Sequence, residues 1–147
     1  MKKILLASIL TMTLLFSGLI GNSKVEATSH GAKAANIGHK YIGTPYKYGG
    51  TTPKGFDCSG FVGYSFKKAG KSIPRTSRDI YKKGKSVSKK NLKKGDVLFF
   101  NTYGKGVSHV AIYVGKGKFI HSASRGVKVD TLSNSYWKPR YIGAKRI

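Results

Sequence analysis

The hydrophobic period changes halfway along the chain, and this limits the possible folds more than any other feature. Before about Gly95 the apolar residues recur at helical spacing: Phe61, Val62, Phe66 and Ala69 fall on one stripe with Cys58. From Asp96 onward they gather in short β-branched and aromatic runs. These are Asp96-Val97-Leu98-Phe99-Phe100, Ser108 to Val114, Lys118 to Ala123 and Tyr136 to Ile147. Helices first and strands afterwards predict an α+β fold, with the helices packed on one side of an antiparallel sheet. The first helix is expected over Ala32 to Ile42, stopped by Gly43-Thr44-Pro45, and a Gly/Pro-rich loop from Tyr46 to Gly55 follows. Asp57 caps a second helix that runs to about Ala69, and a short third one spans Ser77 to Lys83.

The N-terminus predicts export. Lys2 and Lys3 precede an apolar stretch from Ile4 to Ile20, and Val25-Glu26-Ala27 places small residues for cleavage after Ala27. Ser8, Thr11, Thr13 and Ser17 interrupt the stretch, which leaves it short for a membrane span. Residues 28–147 then form a single domain, with no cysteine near the cleavage point for a lipid anchor. The whole chain has formal charge +23, from 28 Lys and Arg against 5 Asp and Glu. Losing Lys2, Lys3, Lys24 and Glu26 lowers this by only two, and the remaining acids are Asp57, Asp79, Asp96 and Asp130. So basic a domain is expected to seek polyanions such as the teichoic acids of a Gram-positive wall, anionic membranes or nucleic acid. No nucleic-acid-binding motif accompanies the charge. The densest patch is the run Lys82, Lys83, Lys85, Lys89, Lys90, Lys93 and Lys94, which reads as a solvated loop able to touch a polyanion.

Cys58 is the only cysteine. Exported proteins use cysteines in pairs, so a single one points to a reactive thiol or an intermolecular bridge. Directly after the Asp57 cap, its thiol would meet the positive end of a helix and unpaired N–H groups. With a histidine nearby, such a setting lowers a thiol pKa from about 8.5 to roughly 3.5–7.5. The expectation is therefore a thiolate nucleophile at neutral pH. The bland reading is a small buried hydrophobe.

A base is available in the strands. If Gly115-Lys116-Gly117 is a hairpin turn pairing Tyr113 with Phe119, then Ala111 faces His121 and His109 faces Ala123. His109 and His121 then share one face as diagonal neighbours about 7–8 Å apart. One would act as base toward the thiol while the other orients it. The alternatives are two structural histidines or a Cys58/His109/His121 zinc site, and the latter lacks closely spaced ligand pairs. Tyr46, in the loop before Cys58, could donate to an oxyanion. Asp57 could bind a substrate amine as well as cap the helix.

Several motifs in order resemble the NlpC-type papain-like cell-wall cysteine endopeptidases. They are Gly43-Thr44-Pro45-Tyr46-Lys47-Tyr48-Gly49-Gly50, Gly55-Phe56-Asp57-Cys58-Ser59-Gly60-Phe61-Val62 and Ile73-Pro74-Arg75-Thr76-Ser77. Lys94-Gly95-Asp96-Val97-Leu98-Phe99-Phe100, Ser108-His109-Val110-Ala111-Ile112-Tyr113-Val114-Gly115 and Phe119-Ile120-His121-Ser122-Ala123 follow. The resemblance implies a papain-like fold and a cofactor-free, secreted or wall-associated hydrolase of peptidoglycan stem peptides. Such an enzyme cuts between D-γ-glutamyl (or D-isoglutaminyl) and the diamino acid. It further implies Cys58 as nucleophile, His109 as base, His121 as the residue orienting it, and Tyr46 at the oxyanion. Asp57 and Ser59 would line the pocket for the free N-terminal L-Ala, with Arg75 near the cleft. Many such enzymes carry a separate wall-binding module, for which this chain leaves no room. The competing expectation is a catalytically silent basic wall-binding or adhesin domain on the same fold.

Overall fold

The computed structural model describes residues 29–147, so the expected export signal over residues 1–27 lies outside the described residues. Helix α1 (His30–His39) leads into a loop and a minimal hairpin, β1 (Thr51–Thr52) and β2 (Gly55–Phe56). Helices α2 (Cys58–Lys68) and α3 (Ser77–Tyr81) follow. The rest is strand: β3 (Lys85–Val87), β4 (Val97–Phe100), β5 (His109–Gly115), β6 (Lys118–Ala123), β7 (Gly126–Thr131) and β8 (Tyr141–Arg146). The last six form one sheet in the order β3-β8-β4-β5-β6-β7, antiparallel throughout. This is the expected α+β arrangement.

The helix caps are chemically explicit. The Asp57 carboxylate accepts the Gly60 N–H at 2.6 Å, and Thr76 Oγ1 accepts that of Asp79 at 3.2 Å. Helix α1 begins two residues before Ala32 because Ser29 Oγ caps it by accepting the Ala32 N–H.

The pleat of the central strands divides the core in two. Val97, Phe99, Val110, Ile112 and Ile120 face α1 and α2, where they meet Ala34, Ala35, Phe61, Val62 and Phe66. The alternate residues Leu98, Phe100, Ala111, Tyr113 and Phe119 point to the other face, which Leu132 and Trp137 cover. Each large side chain buried this way contributes about 1.5–3 kcal/mol.

Besides the minimal hairpin β1–β2 within the stretch expected as a Gly/Pro-rich loop, three features depart from the sequence reading. Strand β7 lies in a segment to which the sequence reading assigns no element. Strand β3 forms within the lysine run, where Lys85, Ser86 and Val87 pair with Arg146, Lys145 and Ala144. Strand β8 starts at Tyr141 rather than Tyr136. Asn134 Oδ1 accepts the N–H groups of Tyr136 and Trp137, and Pro139 sits in the 3-10 turn Lys138–Arg140, which cannot extend a ladder.

Candidate active site

The loop before α2 is locked onto the helix start. Asp57 N–H donates to Gly50 O at 3.0 Å, and Tyr46 forms a parallel bridge with Phe56. A Cβ on Gly60 would lie 1.9 Å from the Gly50 carbonyl oxygen, so only glycine lets loop and helix approach this closely. The other end of the loop is tied to β7, with Gly43 N donating to Val127 O and Val127 N to Thr44 O, both at 2.9 Å. Tyr46 and Cys58 are thereby held on one wall of a cleft of about 790 Å³. Ser108, His109, Lys128, Asp130 and Trp137 are among the residues lining the rest of it.

The hairpin has the expected register, with Tyr113 opposite Phe119 and Ile112 opposite Ile120. His109 and His121 lie on the face away from the helices and are much closer than diagonal neighbours need be. His109 Nε2 and His121 Nδ1 are 2.8 Å apart, within direct hydrogen-bond contact. A metal ion has no room between two nitrogens at this distance. Trp137 stacks on His109 with centroids 5.0 Å apart and planes at 27°, and stands edge-on to His121. Both imidazoles are buried, His121 completely.

Cys58 comes to this pair around the start of β5. Its Sγ donates to the carbonyl of Ser108, the residue before His109, at 3.9 Å. His109 Nδ1 has no hydrogen-bond partner among the described residues. Burial pushes the Cys58 thiol above its ordinary value, and Asp57 adds to this, while N–H groups of Val110 and Ser59 pull against them. Burial also pushes His109 down to about 3, and it lowers His121 against the pull of Asp130. Both directions favour the uncharged forms of thiol and imidazole, against the expectation of a preformed thiolate, because desolvation opposes the helix start here.

The other anticipated residues form a second cluster at the same helix start. Arg75 donates to both Asp57 oxygens, at 3.1 and 2.6 Å, and to Ser59 Oγ at 2.8 Å. Asp57 is thus ion-paired as well as capping α2, and its carboxylate is 15% exposed.

The NlpC/P60 family model matches residues 43–146. The chain belongs to the NlpC/P60 family. It is 53% identical over 106 residues to the probable peptidoglycan endopeptidase LytE of Bacillus subtilis, covering 71% of this chain and 31% of that protein. It is 48% identical over 111 residues to the gamma-DL-glutamyl hydrolase of the same organism, covering 73% of this chain and 27% of that protein. The chain spans less than a third of the length of these two relatives. A crystal structure of an NlpC/P60 family protein from Bacillus cereus superposes with TM-score 0.75 at 41% identity, covering 82% of this chain and 41% of that one.

Two residues of this NlpC/P60 domain's cleft escaped the sequence reading, Asp130 and Trp137. The signal for Asp130 was present: in so basic a chain an acid within an alternating run, Val127-Lys128-Val129-Asp130, calls for a partner. Trp137 lay inside a stretch read as strand and had no distinguishing signal.

The thiol's raised pKa has a measurable consequence. Alkylation of Cys58 by a neutral reagent such as iodoacetamide should quicken about tenfold per pH unit from pH 6 to 9 without a plateau. A plateau reached below pH 7 would mean a thiolate–imidazolium pair instead.

Proposed function

We propose that this domain hydrolyses peptidoglycan stem peptides between D-γ-glutamyl (or D-isoglutaminyl) and the following diamino acid. Cys58 is the nucleophile, His109 the base and His121 the residue that orients it. The observation carrying this reading is the single thiol sharing a cleft with two hydrogen-bonded histidines, one of which keeps a free ring nitrogen. The relative named as a probable peptidoglycan endopeptidase supports the substrate class, and the one named as a gamma-DL-glutamyl hydrolase supports the bond.

In this mechanism Cys58 Sγ attacks the amide carbon as its proton passes to His109 Nδ1. Tyr46, which lines the same cleft, donates to the oxyanion. The carbon–nitrogen bond then breaks, the leaving amine takes the proton from His109, and a thioester remains. Water, deprotonated by His109, cleaves the thioester and restores the thiol. No cofactor enters any step. Asp57, Ser59 and Arg75 wall the pocket for the N-terminal L-Ala, whose ammonium shares Asp57 with Arg75. The protein acts outside the cell, in or near the wall of a Gram-positive bacterium, after removal of residues 1–27.

Mass spectrometry of purified muropeptides after incubation tests the proposal. The expected products end in D-glutamate or D-isoglutamine and begin with the free amine of the diamino acid. Acetylating the L-Ala amine of a matched stem peptide should slow its cleavage. Cuts confined to D-Ala cross-links would overturn the bond assignment, and intact substrate would overturn the hydrolase.

A further inference from the structure

The histidine pair does not end at His121. Its second ring nitrogen, Nε2, lies 2.7 Å from Asp130 Oδ2, and the other Asp130 oxygen lies 3.5 Å from Lys128 Nζ. Strand β7 makes this contact possible by pairing with β6 so that Lys128 stands opposite His121 and Asp130 opposite Phe119. Asp130 is therefore the diagonal neighbour of His121 on the same face. We infer that Asp130 is a positioning residue that sets the tautomers of both histidines so that the lone pair of His109 Nδ1 is free for Cys58. This rests on the hydrolase reading above.

The argument follows the protons. A carboxylate only accepts, so His121 Nε2 must carry the hydrogen that meets it. The neutral His121 then has a bare Nδ1, which can only accept from His109 Nε2. His109 consequently carries its hydrogen on Nε2, and Nδ1 keeps its lone pair. In the opposite arrangement each proton moves to the other nitrogen, and His109 presents an N–H to the thiol instead of a base. An isolated histidine pair has little reason to choose between these states; an acceptor-only group at one end decides. The same polarity steadies the imidazolium formed during attack, since His121 accepts from it while donating to Asp130. Among the described acids Asp57 pairs with Arg75, Asp79 with Lys82 and Asp96 with Arg146, and Asp130 reaches a histidine.

Asp130→Asn is the informative variant. Lys128 should hold the new amide oxygen, turning the amide N–H toward His121 Nε2 and imposing the wrong tautomer on both rings. The expected loss in kcat is on the order of 10²–10⁴-fold, as for other triads whose acid becomes an amide. Asp130→Asn combined with Lys128→Met frees the amide to flip, so part of the activity should return. In a His121→Ala background Asp130→Asn should cost little more, because the residue through which it acts is gone. Nitrogen-15 spectra of the imidazoles read the tautomers without any substrate. Nε2-protonated His109 and His121 are expected in the unmodified protein, with both protons on Nδ1 in Asp130→Asn. The pH profile is read in parallel, with Cys58, His109, His121, Asp130 and Lys128 as the charged or titratable groups facing one another here. Unchanged kcat in Asp130→Asn, an equal loss in the His121→Ala background, or unchanged tautomers would each overturn the inference. If the unmodified protein cleaves no stem peptide, the hydrolase reading fails, while the spectra still decide what Asp130 does.

Discussion

Cys58→Ala is expected to abolish stem-peptide cleavage, with a loss on the order of 10⁴–10⁶-fold in kcat, while the domain remains folded. Both halves follow from the setting. On the proposed mechanism Cys58 is the nucleophile, and the chain has no second cysteine to replace it. The fold tolerates the change because α2 is capped by Asp57, whose bond to Gly60 N–H does not involve the thiol. Removing one sulfur from a half-buried position costs about 1 kcal/mol. His109→Ala should be nearly as severe, since the proton from the thiol then has no acceptor. His121→Ala should keep more activity, because nucleophile and base remain and only their alignment suffers. Muropeptide products quantified by mass spectrometry, with circular dichroism to confirm folding, check all three. Near-normal turnover by Cys58→Ala would end the cysteine-hydrolase reading and favour a silent wall-binding domain. Alkylation rate alone does not separate those two, because a thiol whose pKa is raised is expected to label slowly at neutral pH even in an active enzyme.

The fold was legible where one side chain or one period dictated a local outcome. Asp57 as a cap and the pairing of Tyr113 with Phe119 rest on short-range chemistry and appear as expected, whereas the turn tightens to Lys116-Gly117 because Gly115 pairs with Lys118 across a bulge. Two strands of the six-stranded sheet were missed for the opposite reason. Lys85 and Lys128 carry charge along strands β3 and β7, and their residues join the sheet because β8 and β6 offer edges to pair with. Propensity cannot report such an edge.

The site divides in the same way. The two histidines could be placed on one face from the turn alone, but their 2.8 Å contact depends on how Trp137 packs against them. Asp130 enters only once β7 exists. For the thiol, a helix start is visible in sequence whereas the desolvation that opposes a thiolate comes from the assembled core.

The second large effect expected concerns the wall rather than the peptide. Lys82, Lys83, Lys85, Lys89, Lys90, Lys93 and Lys94 are all exposed in the structure. The acids nearby offer little compensation: Asp79 reaches Lys82 at 3.6 Å, and Asp96 is buried under Arg146. Part of this patch is carried by β3, an outer strand of the sheet, so the lysines also discourage edge pairing between copies. Many weak contacts of one sign add up against a polyanion such as teichoic acid without any shaped pocket. The screening length shrinks from about 10 Å at 0.1 M salt to about 3 Å at 1 M, so retention on purified walls should fall at least about tenfold over that range. Cleavage of a small soluble stem peptide should change little, because His109 and His121 are buried against Trp137, away from solvent ions. Stripping teichoic acid from the walls should have the same effect as salt, and so should changing several of these lysines to glutamine. Salt-resistant retention on stripped walls would mean that a glycan or peptide contact holds the domain instead, and charge would then serve only to bring it near.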